Sequence, residues 1–410
     1  MPKQDVLVGL DIGTTKICAI VGEVDENNEL KIIGIGSHPS RGLKKGVVTN
    51  IETTVGSISK AIEEAELMAG CEITRVYTGI AGNHIKSFNS TGVVAVKDRE
   101  VTQEDIERVI DAAKAVAVPM DREIIHVIPQ EYIIDEQDGI TEPLGMCGVR
   151  LESKVHIVTA AVSSAQNIIK CANKAGLSVS DLVLQPIASA EAVLNSDEKE
   201  LGCLLIDVGG GTSDFAIFSG GALIHTGSVA VGGDHITNDI AVGLRTPQHE
   251  AEKLKVAHGS AIASMVSPED LIEVPSLAGH KARSVSKHLL SEIIEPRVEE
   301  IFTLVRNEVA ESGYENLLAG GVIITGGSCL MPGMIEMAEF VFEMPIKLGV
   351  PQGISGVKDA VSSPKYATGV GLVQYWAKNE GIRHSGYMRG ENEFFESVRA
   401  RFSDFFGRWF

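Results

Sequence analysis

The sequence has fewer basic than acidic residues, few cysteines and few aromatic residues, and each shortage excludes a class of function. Its 410 residues contain 36 Lys and Arg against 55 Asp and Glu, which gives a formal net charge of −19. A surface this acidic repels the phosphate backbone of DNA and RNA. We therefore expect no general binding of nucleic acid.

The sequence also lacks paired cysteines and long apolar segments. Its six cysteines are far apart, with no C-x-x-C pair and no Cys/His cluster at metal-ligand spacing, so neither a zinc site nor a disulfide framework is expected. Asp11 and Lys16 interrupt the apolar run near the N-terminus, which argues against a signal peptide. No other stretch is long and apolar enough to cross a bilayer, so any membrane contact should be peripheral.

Aromatic residues are concentrated at the C-terminus. They make up only 5% of the chain, yet six of the twelve Phe and one of the two Trp lie in the last 17 residues. Residues 378–393, which precede this cluster, contain glycine, asparagine and charge without an apolar period, and are predicted to form a linker. The folded body should therefore end near Trp376.

Within the body, strand-like and helix-like segments alternate, which predicts an α/β fold. Short β-rich runs are found at 6–10, 17–24, 204–207, 215–218 and 322–325, and helical patterns at 51–68, 102–116, 165–175 and 285–309. Thr102, followed closely by two acidic residues, predicts a capped helix start, because its hydroxyl can accept a hydrogen bond from a free backbone amide of the first turn.

Two glycine-rich turns form a weak internal repeat. The sequences D-I-G-T-T at 11–15 and D-V-G-G-G-T at 207–212 each follow an apolar strand and precede another one. Their aspartates are 196 residues apart, close to half of the chain. Two similar halves that face each other would enclose a cleft with one such turn on each wall.

The residue types in these turns suit a phosphate chain with its metal ion. Glycine allows close approach of the backbone, and the turns offer amides and hydroxyls to an anion. Asp11 and Asp207 would repel phosphate directly, but they can hold a hydrated Mg²⁺ that phosphates also bind, with Asp214 as a helper. One such turn is equally well explained as a structural hairpin, whereas two of them favour a binding site.

A third segment fits the same cleft. Residues 322–328 form an apolar strand that runs into a Gly-Gly turn, against which a flat ring could stack. Taken alone, this segment is better explained as an ordinary strand-to-helix turn. The sequence contains no G-x-x-x-x-G-K-[ST], and no G-x-G-x-x-G follows the first strand, so the P-loop and Rossmann solutions to nucleotide binding are excluded.

Together these motifs resemble those of the actin superfamily. Residues 11–16 and 207–214 resemble its two phosphate motifs, 324–334 its adenosine motif, and 185–192 and 366–371 the two segments that hinge its halves. The resemblance implies an actin-like, two-lobed α/β fold with duplicated halves around a nucleotide cleft, and ATP and Mg²⁺ as cofactors.

The resemblance also implies roles for single residues. Those near the nucleotide would be Gly13, Thr14, Thr15, Lys16, Gly209, Gly210, Gly211, Thr212, Gly326, Gly327 and Ser328. Asp11 and Asp207 would bind the metal through water. Residues 251–255 resemble a helix that supplies a Glu and a Lys near the ribose, here Glu252 and Lys255.

Catalysis is less clearly implied than binding. Actins place a glutamine in the first hinge segment to orient the attacking water, and we assign Glu191 to that position. A carboxylate can order water or accept a proton, but its charge opposes the phosphate. ATP binding is therefore better supported than rapid hydrolysis, and a solvated helix residue is the equally weighted alternative for Glu191.

Further segments resemble one branch of the superfamily, the FtsA family of bacterial cell-division proteins. They are residues 40–42, 126–132 and the stretch from Gly139, together with the aromatic terminus. The implied division is subdomain 1A at 1–84, 161–195 and 360–377, an inserted subdomain 1C at 85–160, 2A at 196–235 and 302–359, and 2B at 236–301. The implied partners are the C-terminal peptide of the tubulin-like protein FtsZ, bound near 2B, further copies of the chain, and later division proteins.

Residues 394–410 predict an amphipathic helix. Aromatic residues recur at steps of three and four on one face, with arginines at its margins: Phe394, Phe395, Phe402, Phe405, Phe406 and Trp409, with Arg399, Arg401 and Arg408. This pattern is typical of a helix that lies among phospholipid headgroups. A helix docked on the body or on a partner protein is the alternative.

The sequence thus predicts an ATP-binding, actin-like division protein that polymerises on the cytoplasmic face of the membrane and tethers the FtsZ ring there. The alternative is a sugar or acetate kinase of the same superfamily, which requires a catalytic carboxylate and a polar sugar site near the first turn, and neither is evident. A chaperone-type ATPase would require a peptide-binding domain, which the roughly 30 residues after Trp376 cannot form.

Overall fold

The computed structural model describes residues 6–25, 29–276 and 282–384. The predicted membrane helix at 394–410 lies outside the described residues, as does the part of the predicted linker that follows His384. Within the described ranges, no helix combines the length and the apolar character that a bilayer crossing requires.

The strands are β1 (Leu7–Ile12), β2 (Lys16–Val24), β3 (Leu30–Pro39), β4 (Leu43–Lys44), β5 (Val47–Val48), β6 (Arg75–Ile80), β7 (Lys86–Ala95), β8 (Arg122–Ile134), β9 (Gln137–Ile140), β10 (Arg150–Ala161), β11 (Ser178–Leu184), β12 (Cys203–Val208), β13 (Ser213–Ser219), β14 (Ala222–Val229), β15 (Leu271–Val274), β16 (Arg283–Ser286), β17 (Val322–Thr325), β18 (Ile346–Leu348) and β19 (Ser355–Gly356). The helices are α1 (Ile51–Ala69), α2 (Gln103–Lys114), α3 (Val162–Lys174), α4 (Gln185–Val193), α5 (Ser196–Leu201), α6 (Gly233–Gly243), α7 (Gln248–His258), α8 (Lys287–Ser312), α9 (Met334–Phe342), α10 (Lys358–Val361) and α11 (Ala367–His384).

Two sheets share one topology. In the first, β1, β2 and β3 are antiparallel neighbours, and β6 and β11 continue the sheet parallel to β1. In the second, β12, β13 and β14 are antiparallel, and β17 and β18 continue it parallel to β12. This repeat confirms the predicted α/β fold with duplicated halves, and it puts the two glycine-rich turns at equivalent places.

Each half has its own hydrophobic core. The central strands are almost entirely buried, as their runs of Val, Ile and Leu predict for strands covered on both faces. The first core includes Ile20, Ile58 and Trp376, and the second includes Phe215 and Phe302. Burying one such side chain contributes about 1.5–3 kcal/mol, so each core holds its sheet rigid enough to position the turns.

Helices α4 and α11 pack against each other and join the two halves. They contain the segments predicted to act as hinges. Helix α11 also packs on β1 of the first sheet, and α4 contacts β12 of the second. Side chains from both helices therefore reach the edge of the cleft.

An additional sheet is inserted into the first half between β6 and α3. Its strands have the order β7-β10-β8-β9, all antiparallel, with α2 packed against β7 and β10. The amide of Gln130 on β8 donates to the carbonyl of Leu223 on β14 at 3.2 Å, which connects the insert to the second half. The subdomain bounds given by the resemblance stay a prediction.

The linker prediction is wrong for residues 378–384, because α11 extends to His384. The Lys378 ammonium lies 3.3 Å from the Glu191 carboxylate on α4, and this ion pair holds the extended helix against the body. The absence of an apolar period suggested a linker, but an ion pair to another helix requires no such period.

Candidate functional site

The two glycine-rich turns close in the same way. The backbone amide of Gly13 donates to the carbonyl of Lys16 at 3.0 Å, and that of Gly209 donates to the carbonyl of Thr212 at 3.0 Å. The strand pairing around them is also equivalent, since Asp11 lies opposite Cys18 and Asp207 lies opposite Asp214. The repeat seen in the sequence is therefore a repeat in three dimensions.

The tips of the two turns meet across the cleft. A Cβ atom placed on Gly210 would lie 2.3 Å from Cγ2 of Thr15, and one placed on Gly211 would lie 2.7 Å from Oγ1 of Thr14. Any larger residue at these two positions would force the turns apart. Glycine is thus required here by the close approach of the halves.

The turns border a cavity of about 420 Å³ between the halves. Its wall includes Asp11, Gly13, Thr14, Thr15, Lys16, Asp207, Gly209, Gly210, Gly211, Thr212, Asp214, Glu252, Lys255, Gly326, Gly327 and Ser328. The structure thus brings together every residue that the resemblance assigned to the nucleotide or the metal. The role of each residue stays a prediction.

Three carboxylates of this cavity are held in an environment that opposes their charge. Burial raises the pKa of Asp11 to about 6, against the lowering effect of Lys16, and the nearby Asp207 raises it further. Burial also raises the pKa of Asp214 to about 6, although its carboxylate accepts a hydrogen bond from Thr212 Oγ1 at 2.7 Å.

Asp207 accepts hydrogen bonds from both α4 and α11. Its Oδ2 accepts hydrogen bonds from Ser189 on α4 at 2.7 Å and from Thr368 on α11 at 3.1 Å. Burial raises its pKa, and these two bonds and the charge of Lys16 oppose that rise. Helices α4 and α11 therefore fix the orientation of this carboxylate in the cleft.

The other end of the cavity is built around Lys255. Its ammonium donates to the carbonyl of Gly233 at 3.0 Å and to Thr237 Oγ1 at 2.8 Å, and pairs with Glu252 at 2.7 Å. The hydroxyl of Ser328 donates to the carbonyl of Gly209 at 3.0 Å, which ties the Gly326–Gly327 turn to the second glycine-rich turn. This end provides a mixed polar and backbone surface, and the Gly326–Gly327 turn lies between it and the Asp207 carboxylate, since a Cβ placed on Gly326 would lie 2.5 Å from Oδ1 of Asp207.

The assignment of Glu191 to the cleft is wrong. Glu191 is absent from the described cavity wall, and its carboxylate pairs with Lys199 at 3.0 Å and with Lys378 at 3.3 Å. Burial raises the pKa of Glu191, but the two lysines outweigh it, so the net shift is downward. This side chain joins α4 to α5 and α11.

One cleft residue that sequence reasoning missed is Gln185. It lies in the same hinge segment, borders the cavity, and its amide donates to Oδ1 of Asp11 at 3.1 Å. It directly follows β11, a strand parallel to β1 through β6, and the carboxyl ends of parallel strands share one edge of a sheet. That position was the signal that could have identified it.

The described residues contain no group of three or more His, Cys, Asp or Glu side chains close enough to hold a metal directly. The buried carboxylates Asp11, Asp207 and Asp214 are still oxygen donors of the kind that Mg²⁺ prefers, and one lysine, Lys16, lies 3.8 Å from Asp11. The donor set therefore fits an ion bound through water.

Comparison with known proteins agrees with this architecture. A family model described as cell division protein FtsA matches residues 204–371, and one described as an SHS2 domain inserted in FTSA matches residues 82–159. Among solved structures, a PilM-PilN type IV pilus biogenesis complex has a TM-score of 0.66 at 16% identity, over 90% of this chain and 98% of that one. MreB 5 of Spiroplasma citri bound to AMPPNP has a TM-score of 0.54 at 16% identity, over 94% of this chain and 100% of that one. Each of these two structures is similar to this chain in fold.

Relatives in sequence extend over almost the whole chain. Cell division protein FtsA of Pseudomonas aeruginosa is 50% identical over 404 residues, which are 98% of this chain and 97% of that protein. The proteins of the same name from Escherichia coli and Bacillus subtilis are 41% and 40% identical, over 97% and 93% of this chain and 94% and 86% of their own. The chain therefore belongs to the FtsA family of cell-division proteins.

Proposed function

We propose that this cell-division protein binds ATP with Mg²⁺ in the cleft between its halves and tethers FtsZ filaments to the cytoplasmic face of the membrane at the division site. One observation supports nucleotide binding most directly. Two equivalent glycine-rich turns, each preceded by a buried aspartate, meet at one cavity. Their backbone amides and hydroxyls suit a phosphate chain. The Lys255 end would take the adenosine.

Asp11 and Asp207 would hold the ion through water, with Asp214 as a third carboxylate. A bound Mg²⁺ would neutralise phosphate charge, which the acidic cavity alone would repel. Lys16 would contact phosphate from the first turn. Gln185, held by Asp11, replaces Glu191 as the side chain that can order water at the cleft.

Binding of MgATP should raise the melting temperature of the full chain, because a ligand that binds only the folded state stabilises it, by about 2.7 kcal/mol at 100 times its Kd. Differential scanning fluorimetry with and without EDTA measures the shift and its metal dependence. The Glu191→Gln variant is the matched control, since its carboxylate lies outside the cleft wall and its shift should equal that of the wild type. No shift in either protein at millimolar MgATP would refute nucleotide binding.

The membrane part of the proposal is supported by the C-terminal sequence. Six or seven aromatic residues could contribute on the order of 10 kcal/mol on burial, and each arginine near anionic lipid about 1 kcal/mol. Partial immersion and the ordering of a free tail cancel much of this. One tail should therefore bind reversibly, and polymerisation would convert many weak anchors into firm attachment through effective concentration.

The partner part is supported by membership of the family and by the surface of residues 236–301. Three apolar side chains in that region are at least two-thirds exposed: Val242 at 70%, Val256 at 76% and Leu271 at 67%. Each of them offers apolar contact area to a peptide that carries apolar residues of its own. We assign the FtsZ C-terminal peptide to this region and further copies of the chain to the polymer contacts, and we expect later division proteins to bind other surfaces.

The tether should fail when the terminal aromatic segment is removed. Full-length chain should sediment with anionic liposomes and carry purified FtsZ with it, whereas a chain ending at His384 should leave both proteins in the supernatant. Ending at His384 keeps every residue of α11 that the structure describes, so the packing of this helix on the body is retained in the shortened chain. Electron microscopy of lipid monolayers with and without ATP then tests polymerisation. Equal sedimentation of the two chains would contradict the anchor.

A further inference from the structure

A two-residue hairpin turn near the cleft has an unfavourable residue at its tip. Strands β4 and β5 are joined by Lys45 and Gly46, whose φ angles are +50° and +76°. Hairpins with positive φ at both central residues favour Asn-Gly or Gly-Gly, because a Cβ atom comes close to the backbone carbonyl there and only Asn or Asp offsets this with a local hydrogen bond. A residue other than glycine or asparagine with positive φ beside a binding cleft is a reason to ask what its side chain does there.

The tip of this hairpin lies between the two glycine-rich turns. The backbone amide of Gly46 donates to Oγ1 of Thr14 at 3.2 Å, and Gly46 borders the cavity. On the other side, a Cβ placed on Gly211 would lie 3.0 Å from Cα of Lys45. The hairpin therefore touches the first half and the second half at the point where their turns meet.

The charge of Lys45 is not matched by a neighbour. Its side chain is half-buried, and among the described residues its ammonium makes no hydrogen bond or ion pair. His235, in the first turn of α6, has its pKa lowered by burial first and then by the charges of Lys45 and Arg297. The charge of Lys45 is therefore felt at the start of α6, beside the second turn, and Arg297, unlike Lys45, is paired with the carboxylate of Asp239.

We propose that Lys45 is a further phosphate-binding residue, which the β4–β5 hairpin holds against the last phosphate of a bound triphosphate. The second glycine-rich turn indicates the direction in which the three phosphates of the nucleotide would run. Its first glycine, Gly209, contacts Ser328 and Gly233 at the Lys255 end, whereas its last glycine, Gly211, contacts Thr14 and Lys45. This inference rests on the proposed nucleotide binding and adds selectivity for ATP over ADP.

The test compares MgATP and MgADP affinities of full-length variants by isothermal titration calorimetry. Lys45→Asn removes the charge and places a residue that tolerates positive φ, so the variant should melt no lower than the wild type. It should bind MgATP about tenfold more weakly, the effect of one charge-assisted hydrogen bond, and MgADP less than twofold more weakly. Lys45→Arg should retain most of the preference for MgATP.

Lys44→Asn is the matched control, because Lys44 is the neighbouring exposed lysine on β4, and it should bind both nucleotides as the wild type does. Equal affinities of the Lys45→Asn and wild-type proteins for MgATP would overturn the assignment of Lys45 and leave the proposed function standing. Equal losses for MgATP and MgADP would also overturn it, since Lys45 would then support the turns and not the last phosphate. Failure of the wild type to bind either nucleotide would remove both proposals.

Discussion

Replacing Gly371 by alanine should lower the free energy of unfolding by about 3 kcal/mol, the upper end of the range that is typical of overpacked interiors. Gly371 lies in α11 where that helix crosses α4. A Cβ placed there would lie 1.7 Å from the carbonyl oxygen of Ala188 and 2.4 Å from its carbonyl carbon. Both contacts are with backbone, so no rotation of a side chain can relieve them.

The same substitution should weaken nucleotide binding. If α11 moves away from α4, Thr368 and Ser189 no longer hold the two sides of Asp207, to which they donate at 3.1 and 2.7 Å. Thermal and urea denaturation measure the first effect, and MgATP titration measures the second. The two losses should occur together, because one helix crossing supports both.

Gly56→Ala is the matched control for this prediction. Gly56 also lies inside a helix, α1, but nothing is within 4 Å of a Cβ placed on it. Alanine there should stabilise the protein by about 0.5–1 kcal/mol, from helix propensity alone. If the Gly371 and Gly56 variants had equal stability, the close crossing of α4 and α11 would be disproved.

Local sequence predicted the parts of the fold that depend on local chemistry. Thr102 caps α2 as expected, since its hydroxyl accepts from the amide of Asp105 and the Asp105 carboxylate accepts from the amide of Thr102. The two glycine-rich turns were predicted for the same reason, because their residue types permit few other conformations. The duplication followed from their spacing along the chain.

Contacts between distant segments could not be predicted in this way. Glu191 follows Gln185 by six residues, which at 100° per residue turns its side chain by about 240° around α4, away from the cleft edge that Gln185 faces. The lysines that pair with Glu191 come from α5 and α11. Their approach depends on the packing of three helices, and the same contacts explain why α11 continues into the predicted linker.

The contact between the two turns is a further feature beyond sequence reasoning. Runs of glycine indicated close approach to something, but not that Gly210 and Gly211 face Thr15 and Thr14 of the other half. The same is true of Lys45, which is an ordinary surface lysine in the sequence. Its strained backbone and its position between the halves are properties of the assembled fold.

Asp11→Asn should stabilise the nucleotide-free protein at neutral pH and weaken MgATP binding by about 10–100-fold, the usual effect of removing a residue that supports a metal from outside its direct ligands. Burial raises the pKa of Asp11 from 3.8 to about 6. At pH 7 the buried carboxylate is charged in both states, and the shift corresponds to a penalty of about 3 kcal/mol. Asparagine removes that charge and can still accept the Gln185 hydrogen bond.

The pH dependence of the free energy of unfolding shows in which direction the charge of Asp11 acts. The pKa of Asp11 is higher in the folded state than in the unfolded state, so the folded state binds the proton of this carboxyl group more tightly. The stabilisation that results from this difference is complete below about pH 4. That contribution is lost as the pH rises through about 6. The free energy of unfolding of the wild type, measured in EDTA, should therefore fall across this window relative to that of Asp11→Asn, and the difference should level off above it.

Glu52→Gln is the control, because Glu52 pairs with Lys174 at the surface, and it should leave both MgATP affinity and the pH profile between 4 and 6 nearly unchanged. A site built for a metal ion keeps carboxylates where they destabilise the empty protein, since the charge is used only when the ligand arrives. Stabilisation of the empty protein together with loss of MgATP affinity distinguishes such a site from a structural carboxylate, whose removal lowers stability. If Asp11→Asn were less stable than the wild type at pH 7 and bound MgATP equally well, Asp11 would be structural and the metal would have to be held elsewhere.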